Sequence, residues 1–191
     1  MMTHLDRQEF LAWAYGDLLT NTTRGALAEY IVATALGIGD EERIEWDQYD
    51  LHVGGEGVHG FGVEVKSAAY VQAWKQTRPS EIVFNIRPAK GWDARSDTYA
   101  ASAGRSAAVY VFCLLNGTDR KRVNPLDVAQ WTFYVLPTSV LNQEVKEQRT
   151  IRLGPLKALC QYESRTYEEL NESIHQAANI NRVQIGDAPA P

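Results

Sequence analysis

The 191 residues (21.4 kDa) suffice for one well-packed domain, and 45% hydrophobic with 23% charged residues is ordinary globular composition, which excludes disordered, collagen-like and coiled-coil chains. The longest unbroken apolar run, residues 107–115, falls far short of the roughly 20 residues of a membrane span, and no basic patch followed by an apolar core opens the chain, so a cytoplasmic protein is expected. The net charge of −5 is unevenly spread: residues 66–122 hold ten Lys or Arg against four acids (+6), leaving nine bases against 20 acids elsewhere (−11). A basic middle in an acidic protein suits a face turned toward a polyanion, and scattered solvated charges suit it about as well.

In chain order, Thr3-His4-Leu5-Asp6 is a helix start signal, with Phe10, Leu11, Ala14 and Leu18 following at helical spacing. Asn21-Thr22-Thr23 offers caps for a second helix over 24–36, closed by Gly37-Ile38-Gly39. That helix is apolar almost all round from Ala26 to Leu36, so burial on most sides is expected; its one charge, Glu29, needs a cation, a metal or a hydrogen-bond partner.

Strands are predicted over 44–53 and 61–66, joined by the glycine-rich hairpin loop 54–60. Symmetry about Gly57 would place Asp50 opposite Glu64, roughly 4.5–5.5 Å apart at Cβ. Further strands are expected over 81–87, 109–115 and 131–136, and residues 67–76 read as a short helix or as continued strand. Residues 96–105 read as helical, Asn116-Gly117-Thr118-Asp119 as a turn extended by the basic loop Arg120-Lys121-Arg122, and 163–178 as a last helix. With no repeat or linker, residues 1–182 make one α/β domain and 183–191 a disordered tail.

Several chemistries drop out. Cys113 and Cys160 exclude a disulfide scaffold and a four-cysteine zinc site, and Cys113 reads as a core hydrophobe. The four histidines lack ligand spacing, and no G-x-S-x-G elbow occurs. Gly55-Glu56-Gly57-Val58-His59-Gly60 matches G-x-G-x-x-G, but a period-two segment follows it where a dinucleotide site needs a helix N-terminus.

What remains is Glu29, Asp50, Glu64 and Lys66. Two carboxylates on adjacent strands form a hard oxygen site suited to Mg²⁺ or Mn²⁺, and a lysine two residues after the second projects to the same face. A surface strand with an ordinary cross-strand ion pair is the plainer account of Glu64-Val65-Lys66. Helix acid, Tyr49-Asp50-Leu51, and Glu64-Val65-Lys66-Ser67 after 13 intervening residues together resemble the PD-(D/E)XK nuclease superfamily, over roughly residues 24–90. Tyr49 stands where that family nominally has Pro.

The resemblance implies a restriction-endonuclease-like core with a central mixed sheet of about five strands flanked by helices. It implies Asp50, Glu64 and the Val65 carbonyl as metal ligands, Lys66 acting on water and phosphate, and Glu29 as an auxiliary acid. Asp47 competes as a ligand, and His52 and Gln72 would border the site. The implied activity is Mg²⁺- or Mn²⁺-dependent hydrolysis of DNA, leaving 5′-phosphate and 3′-hydroxyl ends.

Lys75, Arg78, Arg87, Lys90 and Arg95 are the expected nucleic-acid face; Trp74 and Trp92 among them would stack on a base or pack in the core. A domain of this size leaves no room for a separate specificity module. Double-strand cleavage therefore implies a homodimer, or a protein partner that supplies specificity. The alternatives are a non-catalytic nucleic-acid- or partner-binding module on the same fold, and an RNA- or structure-specific nuclease.

Overall fold

A computed structural model of the chain describes residues 4–43, 48–54, 60–93, 98–99 and 101–185. The first helix, α1 (Arg7–Tyr15), is capped by Asp6, whose carboxylate accepts from the Glu9 N–H at 2.8 Å. Leu18 lies beyond it, and none of its residues is buried. Helix α2 (Asn21–Ala35) starts earlier than its sequence suggested, because the cap is Thr20, whose hydroxyl accepts from the Thr23 N–H. It ends in a Schellman turn: Gly37, at φ 75°, donates to Thr34, and Ile38 donates to Ala33. Ala28, Ile31, Val32 and Ala33 are buried, while Tyr30 stays exposed.

The central sheet has four strands, not about five, in the order β1 (Leu51–Val53), β2 (Phe61–Ala69), β6 (Val109–Leu115), β7 (Trp131–Pro137). β1 and β7 pair antiparallel to their neighbours, and β2 runs parallel to β6 from Val63↔Val109 to Ala69↔Leu115. The remaining strands form two separate ribbons, β3 (Val83–Asn85) with β8 (Thr150–Arg152) and β4 (Trp92–Asp93) with β5 (Thr98–Tyr99). This arrangement is a mixed α/β fold.

One face of the sheet (Val63, Val65, Val111, Cys113, Phe133) packs under α2 and under α5 (Leu170–Ile185). The other (Ala68, Tyr110, Phe112, Leu136) packs against Phe84 and Ile151 of the β3–β8 ribbon and against two short helices, α3 (Thr138–Glu144) and α4 (Leu153–Leu159). β6 is buried on both faces, which is why it reads as one continuous apolar run.

Several expected elements differ. Of the strand expected over 44–53, only 51–53 is strand; 48–50 form a bend, and 44–47, with Asp47, lie outside the described residues. Residues 67–69 continue β2, and 71–80 are irregular. The helix expected over 96–105 is absent from the described part. Thr98 and Tyr99 pair with Asp93 and Trp92, and Gly104 bridges Ala89, so cross-strand partners override the local helical pattern. The last helix starts at Leu170, not 163, because Arg165 is held in a bridge to Phe133; it runs through Ile185, into the segment read as tail.

Phe112, fully buried and edge-to-face with Phe84 at 5.2 Å, is central to the second core. Phe112→Ala should destabilise the protein by about 3–5 kcal/mol, read as a lower urea midpoint at an unchanged m-value.

Candidate active site

Asp50 sits just before β1. The three β1–β2 pairs (Leu51↔Val63, His52↔Gly62, Val53↔Phe61) are symmetric about position 57, and continuing them by one places Asp50 opposite Glu64, as expected. The Val65 N–H donates to Asp50 Oδ2 at 2.7 Å, which fastens the bend to the strand. A residue's N–H and C=O leave a strand on the same side, so the Val65 carbonyl faces that edge too, beyond the point where β1 begins. Tyr49 lies over Gly62: a Cβ at 62 would run into its ring, so glycine there is what lets the bend close on β2. The Tyr49 hydroxyl meets His52 Nδ1 at 3.0 Å, and the two rings stack.

Glu64 and Lys66 share the sheet face of Ala68, since alternate residues of a strand point the same way. The Lys66 ammonium pairs with Glu64 and lies 3.9 Å from Asp50 Oδ2. The three side chains are each only 20–26% exposed, a confined cluster of two carboxylates around one cation.

Burial holds the Glu64 carboxyl above its ordinary pKa and the Asp50 charge adds to the rise, against the lowering effect of Lys66. For Lys66, burial pulls the ammonium down, but the charges of Glu64 and Asp50 outweigh it and leave its pKa raised. Tyr110, paired with Glu64 across the β2–β6 ladder, is pushed up by burial and then by the Glu64 charge.

Glu29 does not join this cluster. Arg43 grips it bidentately at 2.5 and 3.2 Å, which supplies the partner its helix position demanded. Asp50 lines a cleft with Glu29 and Arg43 on one side, and on the other a cleft of about 490 Å³ with Glu64, Lys90, Trp92 and Tyr99. Among the described residues no three His, Cys, Asp or Glu side chains gather to hold a metal ion.

Gln72 is buried and committed to the protein, accepting from Arg24 at 3.1 Å and donating to the Ala69 carbonyl at 2.7 Å. His52 lies on the Glu29 side of Asp50. Of the expected nucleic-acid residues, Lys90 reaches the Asp50–Glu64 cleft, while Arg78 lines a separate cleft with Trp74 and Arg120. Lys75 and Arg87 are exposed elsewhere, and Arg95 lies outside the described residues. Trp74 is 55% exposed and not a core residue; Cys113 is fully buried, its thiol pushed up by that burial. Tyr99, Tyr110 and Arg43 were not legible as site neighbours, because each arrives through a tertiary contact without a local motif.

The sequence model of a family described as bacteriophage T4 endonuclease IV matches residues 14–153. The chain belongs to that family. The match spans the bend, β2 and both sheet faces, so the cluster lies inside the matched region. It makes the chain a member of an endonuclease family, and no curated protein matches it. Among the described residues no helix is long and apolar enough to cross a membrane.

The folded chain holds the Glu64 proton more tightly than the unfolded one. Its contribution to stability is therefore full below the ordinary carboxylate pKa and is lost as pH rises through the raised value. In a carboxyl-resolved NMR titration, Glu64 should titrate above the ordinary glutamate range. Asp50→Asn should lower that midpoint, and Lys66→Met should raise it.

Proposed function

We propose that this endonuclease-family chain is a metal-dependent hydrolase of DNA phosphodiester bonds, working as the PD-(D/E)XK nucleases do from a restriction-endonuclease-like core. The observation that carries the reading is the cluster itself: Asp50, fastened to the Val65 N–H, and Glu64 converge on one cation, the Lys66 ammonium. An isolated cross-strand ion pair, or a binding module on the same fold, calls for Lys66 to serve Glu64 alone.

The donor set fits Mg²⁺ or Mn²⁺. Asp50, Glu64 and the Val65 carbonyl would hold the ion, all of them hard oxygens, and water completes such a shell in the usual way for Mg²⁺. Burial first and the neighbouring Asp50 charge second raise the proton affinity of Glu64, and a divalent cation between the two acids would offset both. When bound, the ion polarises the phosphate and makes a water molecule more acidic. Lys66, its ammonium held beside Asp50 and Glu64, would orient the attacking water and neutralise charge gathering on the phosphate oxygens. Glu29 acts from the neighbouring cleft as an auxiliary acid, its carboxylate oriented by Arg43. Lys90, which lines the Asp50–Glu64 cleft, and the exposed Lys75, Arg78 and Arg87 of the basic stretch supply phosphate contacts. Cutting both strands of a duplex would take two copies of the chain, or a partner that supplies specificity.

The test is cleavage of plasmid, single-stranded DNA and RNA in Mg²⁺ or Mn²⁺ and in chelator. Wild type should cut DNA only with metal. Lys66→Ala should keep the fold by circular dichroism and lose about 10²–10⁴-fold in rate. Asp50→Asn should lose rate and also demand more metal. Unchanged cutting by both variants would end the assignment, and preferential cutting of RNA would move it to the RNA-directed alternative.

A further inference from the structure

We propose that the cleft between the Asp50–Glu64 pair and the β4–β5 ribbon is a nucleobase pocket, in which the Trp92–Tyr99 pair stacks on the base adjoining the cleaved phosphate. This rests on the nuclease reading and adds to it the part of the substrate that the second cleft grips.

The cleft lining is of two chemical kinds. It joins the acids Asp50 and Glu64 to the aromatics Trp92 and Tyr99, with Lys90 among them. The two rings are 4.7 Å apart at their centroids and inclined by 63°, an edge-to-face contact. Such a pair sets the edge of one ring on the face of the other and leaves the remaining ring faces outside their mutual contact. Tyr99 is 68% exposed, and neither residue belongs to either hydrophobic core. Core packing therefore does not account for two large aromatics in a ribbon of two-residue strands, which is too short to be stable by itself.

The occupant is set by what the cleft brings together. A nucleotide is a flat aromatic ring joined to an anion, and this cleft pairs an exposed aromatic ring with the Lys90 cation next to the acid cluster proposed to act on phosphate. At about 490 Å³ it has room for a nucleoside.

The ribbon is also held in place. A Cβ at Gly91 would lie 2.7 Å from Ser106 Oγ and 3.0 Å from Gln48 Cβ, so the ribbon is seated close against the segment that leads into Asp50. That close packing sets the stacking wall beside the segment that carries Asp50, as registering one base against one phosphate requires.

The experiment uses the full chain in chelator with short single-stranded DNA oligonucleotides, each carrying 2-aminopurine at one of successive positions. Stacking quenches this fluorophore, so wild type should quench it at one position more than at the others. Trp92→Leu and Tyr99→Leu should lose the quench and weaken binding about 5- to 150-fold, the equivalent of about 1–3 kcal/mol per stacked base. Tyr99→Phe should retain both, and the melting temperature should be unchanged in all three. Wild type that binds without position-dependent quenching or fails to bind, or leucine variants that keep the quench and the affinity, would overturn the proposal. Failure of the nuclease reading would appear separately, as no metal-dependent cutting by wild type, because the quench needs neither metal nor cleavage.

Discussion

The parallel pairing of β2 with β6 is the constraint on which the rest depends. It runs along β2 from Val63 to Ala69 and assigns opposite duties to the two faces of one strand. Val63 and Val65 are locked into the core beneath α2 and α5, while Glu64 and Lys66 are held half-buried on the reverse. A one-residue slip would exchange those sets, burying two charges under a helix layer and exposing two valines. The apolar face therefore fixes where the charged face points, and the strength of the core is what keeps two carboxylates and their shared ammonium together, half-buried.

Each charge near the site is held by a different means. Glu64 and Asp50 share Lys66, and Asp50 has in addition a backbone N–H. Glu29 has its own guanidinium in Arg43, and at Glu64 its charge ranks behind those of Asp50 and Lys66. Arg24 is 4% exposed with no carboxylate partner among the described residues. It is held by the Leu19 carbonyl, Asn21 and Gln72, and burial lowers its pKa. Arg120, from the basic loop after the 116–119 turn, donates to the carbonyls of Gln72 and Ala73 and so braces the chain just past β2. Part of the basic stretch thus holds the fold together, and a count of charges in the sequence overstates what is available to a polyanion.

What the sequence made legible follows from how local the deciding physics is. The hairpin register came from a glycine-rich loop with alternation on both sides, and β6 from an apolar run bounded by a turn. The carboxylate–lysine spacing was legible because strand alternation fixes the direction of a side chain with no tertiary information. Where partners decide, the reading failed. Residues 96–105 have a helical pattern, yet Thr98, Tyr99 and Gly104 are claimed by Asp93, Trp92 and Ala89. β8 exists only through its pairing with β3. α4 carries Gly154 and Pro155, ordinarily breakers, but the proline falls in the first turn, where its missing N–H is not needed. The grip of Arg43 on Glu29 has no signature at all, since the two are separated by a helix end and an irregular turn.

The β2–β6 pairing also sets when the site comes into being. The β1–β2 hairpin closes over a short loop and is a microsecond event, whereas Val63 meets Val109 only after the intervening segment, with β3, β4 and β5, has been brought round. Long-range parallel pairing of this kind is a slow step in folding. In the hairpin alone, Asp50 and Glu64 would face each other in water, with no Tyr110 or Phe112 behind them and no burial to raise a proton affinity. The charged cluster gains its character at the same cooperative step that completes the core. A chain still emerging from the ribosome, or one opened locally at β6, would have every residue of the site and none of its chemistry.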